Sequence, residues 1–586
     1  MRSGGRPIAR TGGRVKAIFL LSAFMLLSSC GADPGSLRDR RDFWREPDLS
    51  GYPAFLREKW IEALASAQVD SMGDEEVLSQ ILMVGYAGSG PSDSLLRWVE
   101  TWGMGGIKIF GWNAEDTGKL AEAVDLIQER ALGGKAGLPV LVATDQEGGW
   151  IRHVKGRTSE SPGNMAIGAT GSVRDAYLAG YHIGRELRIL GITMNFAPDI
   201  DLATNPESAI IGPRAFSDDP ALVSKLGLAW ARGSLAAGVI PTAKHYPGHG
   251  ATSLDSHGSL PVIDIDEATF LRRELVPFAN LIRGGVPAVM SGHLAFPRVT
   301  GATEAASLSG AMMTGYLRRR LGFKGLAITD DLYMAGALGA GSILETCVKA
   351  LLAGNDMLLL STAPDPEGTL WKGLLARYRT DEAFRDRVRE ACGRAIALKL
   401  GHLRPLGREG IMPDPEAAAG LLPDPEAQAF FRDLARRSVS QVGKGGGLPF
   451  LPEGRVMIAG PFDTFISAGT KRYPKSSAFR FRYRPENSAS PTELEDFRRS
   501  LAGCEAAIVC VANRAGMQFA TVAHDAGLEV AIVSALSPVH VANSSWASAI
   551  VAVYHYAPVC LEAGLDALLG RIPAAGRVPL SQKAMR

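Results

Sequence analysis

Cysteine is scarce in this chain, six in 586 residues, and no Cys-x-x-Cys, His-x-His or His-Glu-x-x-His spacing offers a ready metal site. Five of the six (Cys347, Cys392, Cys504, Cys510 and Cys560) are scattered, mostly in apolar runs such as Ala506 to Cys510, and read as buried free thiols. An excess of one charge is missing too: the formal net charge is +2, which provides no basic surface for nucleic acid. Transmembrane length is also missing, because the apolar run Ala17 to Leu27 is too short to span a bilayer comfortably. No internal repeat is visible. What remains, 46% hydrophobic and 21% charged residues, is the balance of a globular protein. The length calls for more than one domain.

Residues 1–30 read as a signal peptide. Arg6, Arg10, Arg14 and Lys16 form a basic region ahead of the Ala17–Leu27 run, which ends in Leu27-Ser28-Ser29-Cys30. That ending resembles the bacterial lipobox. By that resemblance the chain is cut before Cys30, whose thiol carries a diacylglycerol, and the mature protein is exported and lipid-anchored to a bacterial membrane, facing the periplasm or the cell surface. The alternative is an ordinary signal peptide with an incidental cysteine.

Residues 31–70 read as a tether leading into a first helix. From 71 to 400 short apolar runs alternate with amphipathic helical patterns such as Asp116 to Ala131, Val173 to Leu190 and Pro220 to Ala237. The strand-like runs are Gly105–Phe110, Leu138–Ala143, Ile192–Ala197, Val239–Ala243, Val286–Ser291, Gly325–Thr329 and Met357–Ser361. This alternation predicts an α/β fold with a parallel sheet covered on both faces, a (β/α)8 TIM-like barrel rather than a doubly wound sheet. A Pro- and Gly-rich stretch, 401–450, reads as a linker wrapped over the barrel and enclosing one helix, Glu426 to Gln441. Residues 451–586 then repeat the pattern on a smaller scale, with strands expected at Arg455–Ala459, Ala506–Ala512, Glu529–Ser534 and Ala549–Tyr554, and predict an α/β sandwich domain. Its histidines, His524, His540 and His555, show no partnered spacing.

The densest chemistry follows the Gly238–Ala243 run: Lys244-His245-Tyr246-Pro247-Gly248-His249-Gly250, then Asp255-Ser256-His257. In a parallel barrel the loops after the strands converge on one mouth. Asp255 and His257, two apart on such a loop, form a candidate acid/base dyad, the carboxylate orienting the imidazole. Other strand ends carry Asp145-Gln146-Glu147, Asn195 to Asp201, Ser291-Gly292-His293 and Thr329-Asp330-Asp331. So many polar groups at strand ends describe a mouth for a polyhydroxylated substrate, or else a carboxylate rim for a divalent metal. Asp331 reads as a helix N-cap or supporting acceptor, His249 as a loop stabiliser, and His293 as either pocket-lining or buried.

Together, Asp145-Gln-Glu-Gly-Gly149, Lys244 to Gly250 with Asp255-Ser-His257, and Thr329-Asp-Asp-Leu-Tyr-Met334 resemble family 3 glycoside hydrolases, and among them the β-N-acetylglucosaminidase branch. Gly576-Arg-Val-Pro-Leu580 looks like that family's terminal segment. The resemblance implies retaining hydrolysis of terminal β-linked N-acetylglucosamine from cell-wall fragments or chitooligosaccharides. Asp330 would be the nucleophile, His257 the acid/base and Asp255 its orienting partner. Asp145, Arg214, Lys244 and His245 would bind sugar hydroxyls. The family usually reads Glu-Gly-Gly-Arg-Val-x-Arg where this chain has Glu147-Gly-Gly-Trp150-Ile-Arg152-His153, so either Arg152 or His153 stands for the sugar-binding arginine. Trp150 could stack on a sugar or sit in the core. No metal or organic cofactor is implied, and the partners expected are a carbohydrate and, through Cys30, a membrane, with the enzyme a monomer. A phosphorylase using inorganic phosphate and a non-catalytic sugar-binding lipoprotein are the alternatives.

Overall fold

The computed structural model describes residues 54–585 apart from 209, 340, 444–446 and 485–487. The signal segment and Cys30 lie outside the described residues. The first domain contains β1 (Leu82–Gly85), β2 (Gly106–Ile109), β3 (Leu141–Thr144), a hairpin of β4 (Gln146–Gly148) and β5 (Ile151–Arg152), then β6 (Met194–Asn195), β7 (Ile240–Tyr246), β8 (Ala288–Ser291), β9 (Leu326–Thr329) and β10 (Leu358–Leu360). Its main sheet runs in the order β10-β1-β2-β3-β6-β7-β8-β9, every pair parallel. A bridge between Ile328 and Met357, and the Leu332 N–H donating to Leu359 O at 3.0 Å, bring β9 back onto β10. The sheet therefore closes into a barrel, as the alternating pattern predicts.

Side-chain alternation decides which way each strand faces. Met83, Ala143, Met194, Ile240, Met290, Ile328 and Leu359 fill the interior. Their neighbours Leu82, Val84, Ile107, Ile109, Val142, Val289, Leu358 and Leu360 turn outward and pack beneath the helices. Helix Glu382–His402 adds Ala395 and Leu398 to the interior cluster. β1 is the strand that the sequence pattern does not announce, because its four residues continue directly from the apolar face of helix Asp74–Ser79.

The second domain holds β11 (Ser440–Gln441), β12 (Val456–Gly460), β13 (Ser476–Arg480), β14 (Ala506–Val511), β15 (Glu529–Ser534) and β16 (Ala549–Ala552). The order is β11-β16-β15-β14-β12-β13, with only β11 antiparallel. β11 and β13 go unforeseen: one is two residues long, and the other is half exposed with little apolar content. The stretch 401–450 carries more structure than a connection needs. Its main helix, Pro425–Ser438, stops short of Gln441 because Ser440 and Gln441 leave to pair with β16. Phe431 and Leu434 of that helix belong to the barrel core, whereas Ala435 and Val439 belong to the core of the second domain. The terminal segment returns to the barrel, where the Arg577 N–H donates to Ala169 O at 2.9 Å and Ser217 Oγ donates to Pro579 O.

Candidate active site

All seven residues of β7 are buried, and Lys244 and His245 stand near its C-terminal end. Lys244 Nζ reaches Asp145 Oδ1 at 2.6 Å and Glu147 Oε1 at 2.6 Å. Arg214, on a short helical turn Gly212–Arg214 after β6, donates from Nε to Glu147 Oε2 at 2.9 Å and from Nη2 to Glu147 Oε1 at 2.7 Å. The same Nη2 lies 3.2 Å from Asp199 Oδ2 and 3.2 Å from His245 Nε2. His245 Nδ1 pairs with Asp201 Oδ2 at 2.7 Å, and Asp201 Oδ1 accepts the His249 N–H at 2.7 Å. Three barrel strands and two loops thus hold one buried lattice of cations and carboxylates. Burial alone would neutralise such groups; mutual pairing keeps Asp145, Glu147 and Asp201 charged, whereas burial raises Asp199 to about 7. Burial opposes the charge on Asp145, yet Lys108 and Lys244 hold its carboxyl well below the usual range.

Asp330 follows β9 at the same end of the barrel. Its N–H donates to Ser291 O at 2.9 Å, and Oδ1 accepts the Asp331 N–H at 2.9 Å. Burial pushes its carboxyl up, but the fields of His245, His293 and Lys244 and the Asp331 amide outweigh that and lower it. Asp330 is therefore an anion at rest, the state a carboxylate nucleophile needs. His293 is fully buried, Nδ1 2.8 Å from Ser307 Oγ and Nε2 3.0 Å from Asp331 O. Asp331 caps no helix; its Oδ1 accepts the N–H groups of Tyr333 and Ser361, both at 3.1 Å, and so fixes the turn beside Asp330.

Asp255 and His257 come together as their spacing predicts, Oδ1 to Nδ1 at 2.7 Å and Oδ1 to the His257 N–H at 2.9 Å. Both lie on an exposed loop, with 73% of the His257 side chain accessible. That loop touches the segment after Asp330, since the Gly336 N–H donates to Ser256 O at 3.0 Å. His249 supports the loop through its backbone only: both ring nitrogens are buried without a partner among the described residues.

Arg152 and His153 point in different directions. Arg152 turns away to Glu160, Nη2 to Oε1 at 2.9 Å, whereas His153 faces the network, Nδ1 3.8 Å from Asp145 Oδ2. Burial lowers the His153 imidazole to about 4, so it is neutral there. Trp150 packs against the core of the second domain. Three residues have no individual role in the sequence reading. Glu147, part of the Asp145–Glu147 strand-end cluster, joins Arg214 to Lys244. Lys108, on β2, sends Nζ to Asp145 Oδ2 and lies 3.4 Å from His153 Nδ1; an isolated lysine between Ile107 and Ile109 in a strand-like run was the available signal. Trp112, half exposed on the loop after β2, stacks on Phe110 at 4.5 Å and 10° and is pinned by Nε1 to Tyr86 O at 2.9 Å.

A nucleophile-ready carboxylate, an imidazole–carboxylate pair and a bowl of paired polar groups at one barrel mouth are what glycosidic cleavage requires. Residues 74–396 match the glycosyl hydrolase family 3 N-terminal domain. The chain belongs to that family. Among relatives of this family 3 chain, β-hexosaminidase A of Pseudoalteromonas piscicida is 35% identical over 281 residues, 45% of this chain and 47% of that protein; the chain spans about half the length of that relative. A β-hexosaminidase of Thiobacillus denitrificans is 34% identical over 290 residues, 48% of this chain and 79% of that protein. Among solved structures, a family 3 β-N-acetylglucosaminidase from Paenibacillus sp. str. FPU-7 superposes with a TM-score of 0.78 at 27% identity, covering 87% of this chain and 99% of that one.

Within this family 3 site, Asp199, Asp201 and His245 bring ligand-type atoms within 4.8 Å of one another. The set does not suit a dication, because Arg214 already points its guanidinium at Asp199 and His245.

Proposed function

We propose that the chain is an exported retaining β-N-acetylhexosaminidase that removes terminal β-linked N-acetylglucosamine from cell-wall fragments or chitooligosaccharides. The observation that carries the reading is Asp330, held ionised at the end of β9 across the mouth from the Asp145–Lys244–Glu147 lattice. The names of the similar hexosaminidases and of the β-N-acetylglucosaminidase structure supply the substrate class.

In the first step an Asp330 carboxylate oxygen attacks the anomeric carbon. The bond to the leaving oxygen breaks, and that oxygen takes a proton from His257, whose Nδ1 is held by Asp255. In the second step His257 takes a proton from water, the water oxygen bonds to the anomeric carbon, and Asp330 leaves as a carboxylate. The sugar is released with its configuration retained. Every proton and bond here is handled by protein groups and water. Asp145, Lys244 and His245 orient the sugar through its hydroxyls. Export and anchoring through Cys30 belong to the proposal on the strength of residues 6–30 alone.

The test is turnover of a chromogenic β-N-acetylglucosaminide beside the matching β-glucoside, each with and without phosphate. Preference for the N-acetyl sugar with free sugar as product supports the reading. A sugar 1-phosphate product moves the chain to the phosphorylases. Binding without turnover of either makes it a receptor.

A further inference from the structure

The lattice around Asp145 contains one cation more than the carboxylate needs. Asp145 already has Lys244 at 2.6 Å on Oδ1, and Lys108 nevertheless occupies Oδ2. Lys108 is an expensive residue to keep there. It lies inside the barrel wall with its side chain 2% accessible, on a strand whose flanking residues Ile107 and Ile109 face outward into the helix layer. An ammonium has three N–H donors. One goes to Asp145. The remaining surroundings are His153 Nδ1 at 3.4 Å and the rings of Phe110 and Phe196, with centroids at 5.1 and 5.0 Å, which are weak partners for a desolvated cation. Donor capacity is left over at the floor of the pocket, beside a carboxylate whose side chain keeps 18% accessibility.

We propose that Lys108 and Asp145 together bind the 4-hydroxyl of the terminal sugar, so that Lys108 is the residue that reads its configuration. This deepens the hexosaminidase reading and rests on it. Two features fix the position. A hydroxyl accepts from an ammonium while donating to a carboxylate, and Lys108 Nζ and Asp145 Oδ2 stand in direct contact, ready to flank one oxygen. β3, which leads into Asp145, also stands opposite β9, after which Asp330 follows, with three strands between them on either side, and β2 is its neighbour. A pyranose with C1 at Asp330 therefore turns its far carbon, C4, toward Asp145 and the adjoining Lys108. His153 cannot supply the charge, since it is neutral and its Nδ1 faces Lys108. In this chain the cation comes from β2 rather than from the hairpin. Burial and the field of Lys244 lower the Lys108 ammonium, partly offset by Asp145.

The experiment measures kcat/KM of wild type, Lys108→Met and Lys108→Arg on aryl β-glycosides of N-acetylglucosamine, its 4-epimer N-acetylgalactosamine, and the 4-deoxy sugar. Wild type is expected to lose at least tenfold on the 4-deoxy substrate. Lys108→Met should lose a similar factor on the parent sugar, mainly through KM, with little further loss on the 4-deoxy sugar and a collapsed preference between the epimers. Lys108→Arg should keep the preference. Equal losses by Lys108→Met on parent and 4-deoxy sugars, or full wild-type activity on the 4-deoxy sugar, would overturn the assignment. The second outcome decides even if Lys108→Met fails to fold. Should wild type turn over no hexosaminide, the hexosaminidase reading fails by itself. Calorimetric binding of N-acetylglucosamine against its 4-deoxy analogue then judges Lys108 alone, with equal affinities counting against it.

Discussion

Arg214 grips Glu147 with two parallel hydrogen bonds, at 2.9 and 2.7 Å, and Glu147 in turn holds Lys244 at 2.6 Å. The pair is buried and bidentate, so its two halves depend on each other. Arg214→Ala would strand Glu147 with a single cation. Breaking such a pair costs roughly 3–5 kcal/mol. Urea unfolding should show a loss of that order, and Arg214→Lys should recover only part of it because a point charge cannot fill both prongs. A loss below about 1 kcal/mol would mean that the lattice is not what holds this side of the mouth.

Asp330→Ala should abolish turnover while leaving sugar binding measurable by calorimetry. Because the Asp330 carboxyl is lowered, and the ionised form is the active one, activity is lost as pH falls through that lowered value. The acid limb of kcat/KM on an activated aryl glycoside should therefore lie below about 4. His257→Ala should slow substrates with poor leaving groups far more than activated ones; equal slowing would remove His257 from the acid role.

Burial, with Asp201 beside it and against the pull of Arg214, raises Asp199 to about 7. In the unfolded chain such a group titrates near about 3.9. Between those values the native state holds a proton that the unfolded state has released, so this group makes stability fall as pH rises and contributes its full penalty above 7. Melting temperatures of wild type and Asp199→Asn should diverge from pH 4.5 to 7, in favour of the variant, and then run parallel. A flat difference would show that Asp199 is ionised throughout.

Gly250 ends the Lys244 motif against a backbone: a Cβ there would lie 1.6 Å from Leu202 O. Gly250→Ala must displace the loop that places the His249 N–H on Asp201. A loss of about 1–3 kcal/mol is expected in thermal unfolding, together with a raised KM, since Asp201 also orients His245. An unchanged melting temperature would mean that the loop has a second arrangement.

Much of the barrel could be read from the chain because its strands are continuous apolar runs separated by helix-length segments. β1 was hidden because four buried residues adjoining a helix share the helix's hydrophobicity. The motif residues Asp145 and Asp330 were legible as polar groups placed just after strands; Lys244 and His245 were expected on the loop after theirs and lie instead within the last residues of β7. Lys108 was not, because its partner Asp145 lies 37 positions away and only closure of the barrel makes them neighbours. The directions of Arg152 and His153 were not legible for a similar reason: one position along a hairpin turns a side chain to the opposite face, and that parity is invisible until the strand is placed.

Helix Pro425–Ser438 presents Phe431 and Leu434 to one core and Ala435, followed just beyond its end by Val439, to the other. Its N-terminus is fastened as well, the Asp424 N–H donating to Glu186 Oε1 at 2.9 Å. One helix thus serves as wall to two rooms. A chain cut at residue 400 would bare barrel side chains that the helix covers, and a chain begun at 451 would lack a face of its own sheet. Neither half is a free-standing module, and heat should melt both in a single transition.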